Sequence, residues 1–156
     1  CREPDVAAQA ETLLADFREM CAQPAVARIL AQPAAELPEK FVASGLPAGP
    51  ARPSLHREQP FALEEGEGTL LGIIDRLVVW SRSGRPVAAE VIDFKFDGMG
   101  ATGPERARIR AEKIAFYTPQ LQAYRRAIVA LHGIDPERVS CELVFMRAGE
   151  VVPIDG

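Results

Sequence analysis

Apolar residues along this chain recur with two different periods, and the points where the period changes mark the expected elements. Between Pro4 and Ala31, positions such as Leu13, Leu14, Phe17 and Met20 repeat at helical spacing. Pro24 interrupts that run, so two helices are expected in place of one. From Gln32 to Pro53 the periodicity is lost and Gly45, Pro47, Gly49, Pro50 and Pro53 accumulate, which reads as a connector or partly mobile loop. Strand patterning then begins. Arg57–Leu63 is a short strand, Glu64–Gly68 a turn, Thr69–Trp80 a long Leu/Ile/Val-rich strand, Ser81–Arg85 a hairpin turn around Gly84, and Val87–Phe96 the next strand.

Asp97–Gly103 carries three glycines and reads as a flexible loop. Pro104 suits the first position of a helix, and Gly133 suits its C-terminal cap. The helix between them is expected to break or kink around Thr118–Pro119. Val139–Arg147 and Val151–Ile154 close the chain as two strands around Ala148–Gly149. The order of helices, three antiparallel strands, long helix and two strands predicts a mixed α/β fold, a small central mixed β-sheet flanked by helices.

Composition refines this picture only modestly. The chain has 156 residues, 47% hydrophobic and 26% charged, which fits one globular domain: N-terminal helices and connector over 1–53, a core over 54–156. No apolar run approaches the ~18–20 residues of a membrane span, so no membrane partner is expected. Cys1–Asp5 leads into charged helical sequence instead of the apolar stretch of a secretory leader. The chain opens without a methionine, and Cys1–Gln32 reads as the interior of a longer protein. Cys1, Cys21 and Cys141 are odd in number and widely spaced, which fits neither a disulfide framework nor a zinc knuckle and suits reduced thiols of the cytosol. The net charge of −4 does not favour a nucleic-acid partner, but local distribution matters more than the total.

The chemistry sits where acids interrupt apolar strands. In Gly72-Ile73-Ile74-Asp75-Arg76-Leu77 a charged pair lies inside an otherwise apolar run. In Val91-Ile92-Asp93-Phe94-Lys95-Phe96, strand alternation puts Asp93 and Lys95 on one face and Ile92, Phe94 and Phe96 on the other. A carboxylate in a half-buried strand is costly unless it is paired or binds a cation. Asp75 and Asp93 on neighbouring strands of a hairpin are therefore expected to converge on one ion. Mg²⁺ suits them, because it takes oxygen ligands and needs few from the protein. Asp-x-Lys alone is too short to be diagnostic, and Asp75-Arg76 also fits a surface ion-pair element.

A third signal follows in Tyr117-Thr118-Pro119-Gln120-Leu121-Gln122-Ala123-Tyr124. Gln120 and Tyr124, four apart, share a helix face. That face could serve a DNA backbone or the site; the alternative is an amphipathic core tyrosine beside a solvated glutamine. Arg106, Arg108, Arg110, Lys113, Arg125 and Arg126 make the same region locally basic against Glu105 and Glu112, which fits either a phosphate-binding edge or a solvated helix surface.

Taken in order, Glu58-Gln59-Pro60-Phe61, Gly72-Ile73-Ile74-Asp75-Arg76-Leu77, Asp93-Phe94-Lys95 and Gln120-Leu121-Gln122-Ala123-Tyr124 resemble the RecB/AddA nuclease domain of the PD-(D/E)xK phosphodiesterase superfamily, over about Arg57–Ile154. The resemblance implies a restriction-endonuclease-like core and a metal-dependent deoxyribonuclease of DNA double-strand break repair and recombination. It implies Asp75 and Asp93 as metal-binding acids, the Phe94 backbone carbonyl as a further metal ligand, and Lys95 as the catalytic lysine. Gln120 and Tyr124 would support the site. Mg²⁺ is the implied cofactor, with Mn²⁺ as substitute. DNA is the implied substrate, with Arg106, Arg108, Arg110 and Lys113 at its backbone. The implied partners are the helicase domain of a parent protein and a second repair subunit, in a bacterial cytoplasm at the nucleoid. Glu58 matches a recurrent acid that fits either an ion pair supporting the sheet or catalysis. The family's metal-binding histidine has no counterpart, since His56 and His132 occupy other places, and is expected upstream of Cys1. The iron–sulfur cysteines of some relatives are also absent, so no cluster is expected. The rival readings are a non-catalytic DNA-binding or scaffolding module on the same fold, and a CRISPR adaptation nuclease, which would normally carry clustered cysteines.

Overall fold

Five strands rich in β-branched and large aliphatic residues form one sheet in the order β1-β2-β3-β4-β5: Arg52–Glu65, Gly68–Arg82, Arg85–Lys95, Val139–Phe145 and Glu150–Ile154. The computed structural model describes residues 6–42, 46, 49–100 and 102–156. The expectations for residues 1–5, for Gly45 and Pro47 in the connector, and for residue 101 in the glycine loop lie outside those. Helices α1 (Val6–Ala22) and α2 (Pro24–Leu30) precede the sheet, and α3 (Pro104–His132) joins β3 to β4.

β1, β2 and β3 form an antiparallel meander. Its second turn is tight because Ser83 and Gly84 both take positive φ, 50° and 76°, matching the right-handed twist of the flanking strands. β3 and β4 pair in parallel, which demands a long crossover, and α3 supplies it. β5 returns antiparallel to β4. The sheet is therefore mixed and flanked by helices, as the pattern predicts. The strands run longer than the apolar runs suggest: β1 begins at Arg52, five residues before the expected start, because backbone pairing to β2 continues past the last apolar signal.

α3 covers one face. Leu121, Tyr124, Ala127 and Ile128 are buried against Leu77, Val79, Val91, Leu143 and Phe145. Each large aliphatic side chain so buried contributes about 1.5–3 kcal/mol. Pro104 occupies the first turn, and Gly133 closes the helix at φ 63° with its N–H donating to Val129 O at 3.0 Å. The expected break at Thr118–Pro119 does not occur: α3 runs unbroken through Pro119. Pro119 lies on the exposed side, so the carbonyl it leaves unpaired, that of Ala115, meets water, and the Thr118 hydroxyl donates to Ile114 O at 2.7 Å.

The other face is covered by α2, through Val26 and Ile29 on Ile92, Val144 and Met146, and by the connector. Leu37, Phe41 and Ala51 pack against Val78 and Trp80, and Trp80 Nε1 donates to Ala34 O at 3.1 Å. That segment thus carries part of the core, more than its Pro/Gly content suggests. α1 buries no residue; Leu13, Leu14 and Phe17 remain exposed. Among the described residues no helix is long and apolar enough to cross a membrane.

Candidate functional site at the end of the central strand

The C-terminal half of β3 is where the sheet stops being regular. Its ladder with β2 ends at Arg76 opposite Ile92; one step further in the same register would set Asp75 opposite Asp93. Ile74 and Leu77, three residues apart, both enter the core under α3, so the two-residue alternation slips across Asp75-Arg76. On the other side of β2, Glu58 takes φ 47° and drops out of a ladder that holds both Arg57–Arg76 and Gln59–Ile74. The slip frees the Asp75 carboxylate from either face. It lies along the sheet plane, where Oδ2 accepts the Phe94 N–H at 2.8 Å. In an extended strand a residue's N–H and C=O point to the same edge. The Phe94 carbonyl therefore faces the Asp75 side too, while Lys95 O accepts Met146 N–H from the opposite side.

Asp93 and Lys95 project together beneath α3, and Ile92 and Phe94 project away into the core under α2, as strand alternation requires. Asp93 is 2% exposed. Lys95 Nζ stands 2.7 Å from its Oδ2, so this buried carboxylate is paired with the Lys95 ammonium. Burial raises the Asp93 pKa above the usual carboxylate value. The Lys95 amine opposes that rise, and the charge of Asp75 adds to it. Lys95 also donates to Gln120 Oε1 at 3.2 Å, and Gln120 Nε2 donates to the Tyr124 hydroxyl at 2.6 Å. Tyr124 packs edge-on against Phe61, centroids 5.5 Å apart. Its hydroxyl pKa is raised by burial first, with the charges of Asp93 and Asp75 adding to it. The structure thus brings Asp75, Asp93, Phe94, Lys95, Gln120 and Tyr124 into one neighbourhood.

Two bland alternatives fail. Asp75-Arg76 is not a surface ion-pair element, because Arg76 is buried and its Nη2 donates to Ala31 O at 2.7 Å, tying the end of α2 to the sheet. Gln120 is not merely solvated, since both ends of its amide are engaged.

The basic stretch is more neutral than its sequence suggests. Arg108 pairs with Glu112 at 2.7 Å, Arg110 with Glu150 at 2.5 Å and Lys113 with Asp97 at 3.0 Å. Arg106 alone of the four forms no ion pair among the described residues. Arg126 pairs with Glu65, and Arg125 donates to Pro136 O. Glu150 and Asp97, which neutralise Arg110 and Lys113, lie outside this stretch in sequence. His132 and His56 lie near enough that the His56 charge, after burial, lowers the His132 pKa, and neither lines the site.

Residues that sequence reasoning missed complete the surroundings. The Lys95 amine lies 4.2 Å from the centroid of the Tyr117 ring, and the Tyr117 hydroxyl donates to Asp97 Oδ2 at 2.5 Å. Tyr117 is one helical turn before Gln120, a spacing that points to it from the sequence, whereas Asp97 lies past the end of β3 and reaches α3 only in the folded chain. An open cleft of about 620 Å³ adjoins the site, lined by Phe17, Arg57, Glu58, Asp75, Phe94 and Phe96 among others. Glu58 thus shares the cleft with Asp75.

The donor set fits a hard divalent cation. Its members are the Asp93 carboxylate, the Asp75 carboxylate and the Phe94 carbonyl, all oxygen, as Mg²⁺ prefers. Among the described residues no group of three or more His, Cys, Asp or Glu side chains gathers, and Mg²⁺ bound through one or two carboxylates requires none. No family model matches the chain, and no curated protein matches it.

Proposed function

We propose that this chain is a metal-dependent nuclease domain with a restriction-endonuclease-like core, hydrolysing DNA phosphodiester bonds in repair or recombination of double-strand breaks. One observation carries the reading: a buried Asp93 carboxylate paired with the amine of Lys95, across the end of a ladder from a second carboxylate, Asp75. Two carboxylates beside one ammonium leave a net negative charge that a bound cation would balance. Asp75, Asp93 and the Phe94 carbonyl would hold Mg²⁺, or Mn²⁺ in its place. The ion would supply Lewis-acid polarisation of a phosphate oxygen and activation of water.

The chain's own residues do the rest. Lys95, held by Asp93 and Gln120, presents a preorganised positive charge to the phosphate as negative charge builds there. Gln120 and Tyr124 fix the amine's direction from α3, and Tyr124, braced on Phe61, keeps that helix in register with the sheet. Backbone contacts carry no sequence information, so cleavage without base preference is expected. The helicase domain and second repair subunit remain part of the proposal through the resemblance alone.

A second reading, a DNA-binding or scaffolding module without catalysis, is favoured by the small ligand set and by the three basic residues already paired on α3. Titration with Mn²⁺ by calorimetry separates the two. The nuclease reading expects one site that is lost in Asp75→Asn and in Asp93→Asn. Binding unchanged by both substitutions contradicts it.

A further inference from the structure

Lys95 is the end of a long flexible stem, and a free lysine samples many rotamers. Asp93 and Gln120 approach its amine from two directions. A third side of the amine is closed by the face of the Tyr117 ring, 4.2 Å from Nζ to centroid. The ring is itself immobilised at its far end. Its hydroxyl donates to Asp97 Oδ2, and the same oxygen accepts Lys113 Nζ at 3.0 Å. The bond to Asp97 and burial push the Tyr117 hydroxyl up to about 12. Asp97 is held below the usual carboxylate range by Tyr117 first and by Lys113. Asp97, two residues past the end of β3, is drawn to α3 by Tyr117 and Lys113, and helix spacing puts Tyr117 one turn before Gln120. Strand end and helix therefore grip the amine jointly.

We propose that Tyr117 is the positioning residue for Lys95. Its ring face holds the ammonium against Asp93 by a cation–π contact, and the bond from its hydroxyl to Asp97 is an accessory brace. The proposal rests on the nuclease reading for its kinetic consequence but not for its spectroscopic one. An ammonium stem held over a ring is shifted by the ring current whether or not the protein cuts DNA.

The chain holds three lysines, Lys40, Lys95 and Lys113, so the spectrum of protein labelled with carbon-13 at lysine side chains is simple enough to read. The Lys95 signal is identified by its loss in Lys95→Arg. It is expected upfield of ordinary lysine in the wild type and in Tyr117→Phe, and at the ordinary position in Tyr117→Leu. In cleavage assays on the full-length protein, Tyr117→Leu should lower kcat roughly 2- to 30-fold, the range of one cation–π contact, with KM little changed. Tyr117→Phe, which keeps the face and loses only the anchor to Asp97, should restore most of that loss. A Lys95 signal indifferent to Tyr117→Leu overturns the proposal. So does a Tyr117→Phe enzyme as impaired as Tyr117→Leu, because the hydroxyl and not the ring face would then be the operative group. Upfield Lys95 signals in a protein that cleaves no DNA would leave the contact standing and overturn the nuclease reading instead.

Discussion

Gly72→Ala perturbs the site from behind with a single methyl group. A Cβ at position 72 would stand 2.6 Å from Phe61 Cε1, 2.7 Å from Phe61 Cζ and 3.0 Å from Tyr124 Cε1. Both rings are buried, at 8% and 7% exposure, and they meet edge-on, so neither retreats without moving the other. Overpacking of this kind costs about 1–3 kcal/mol. Gly72 is not at positive φ, so alanine is allowed there, and removing a glycine from a strand interior returns about 0.5–1 kcal/mol. The net expectation is a loss of up to about 2.5 kcal/mol, or up to about 10 °C in Tm at the 2–4 °C per kcal/mol usual for this size. Urea denaturation of wild type, Gly72→Ala, Phe61→Leu and the double variant reads the coupling directly. With the Phe61 ring gone, the alanine penalty should vanish or reverse. A penalty of equal size in both backgrounds would refute the claim that the Phe61 ring is what position 72 excludes.

Two further outcomes follow from the same geometry. The chain has two tyrosines, Tyr117 and Tyr124, and both hydroxyls are raised above the ordinary value of 10, so the folded protein should show little phenolate absorbance at pH 10. Since the folded state keeps these protons longer than the unfolded one, their stabilising contribution is full below pH 10 and is lost as pH rises toward 12; a normal phenolate titration in folded protein would contradict both placements. On DNA, Arg106→Ala should reduce the salt slope of binding by about 0.9 per lost phosphate contact, and the quadruple change of Arg106, Arg108, Arg110 and Lys113 by less than four times that, because three of these cations already have acidic partners. An unchanged slope in the quadruple variant would move the DNA path off α3.

The strands and the order of elements were legible because alternation and β-branched runs record backbone periodicity directly. Pro24 was legible as a boundary because it opens α2 from its first position. The break allowed for at Pro119 did not form, because the penalty depends on which side of the helix the freed carbonyl faces, and sequence does not give that. The connector's Leu37, Phe41 and Ala51 went unseen as core because they reach Trp80 singly, without a period. Within the site, Asp93, Lys95, Gln120 and Tyr124 were legible because they share faces at fixed spacings. The slip that turns Asp75 into the sheet plane was not, since it arises where the β2–β3 ladder ends beside the irregularity at Glu58 in the β1–β2 ladder. Nor were Glu150 and Asp97 as partners of Arg110 and Lys113, because only the folded chain brings them together.

The central claim is that Asp93 and Lys95 form a hydrolytic centre. Its most direct test is cleavage of a DNA strand by the full-length protein with Mg²⁺ or Mn²⁺, comparing wild type with Lys95→Ala at matched thermal stability. The account predicts metal-dependent cleavage in the wild type and a loss on the order of 100- to 1,000-fold in Lys95→Ala, the usual cost of removing one preorganised electrostatic group. Cleavage by Lys95→Ala at the wild-type rate would contradict it.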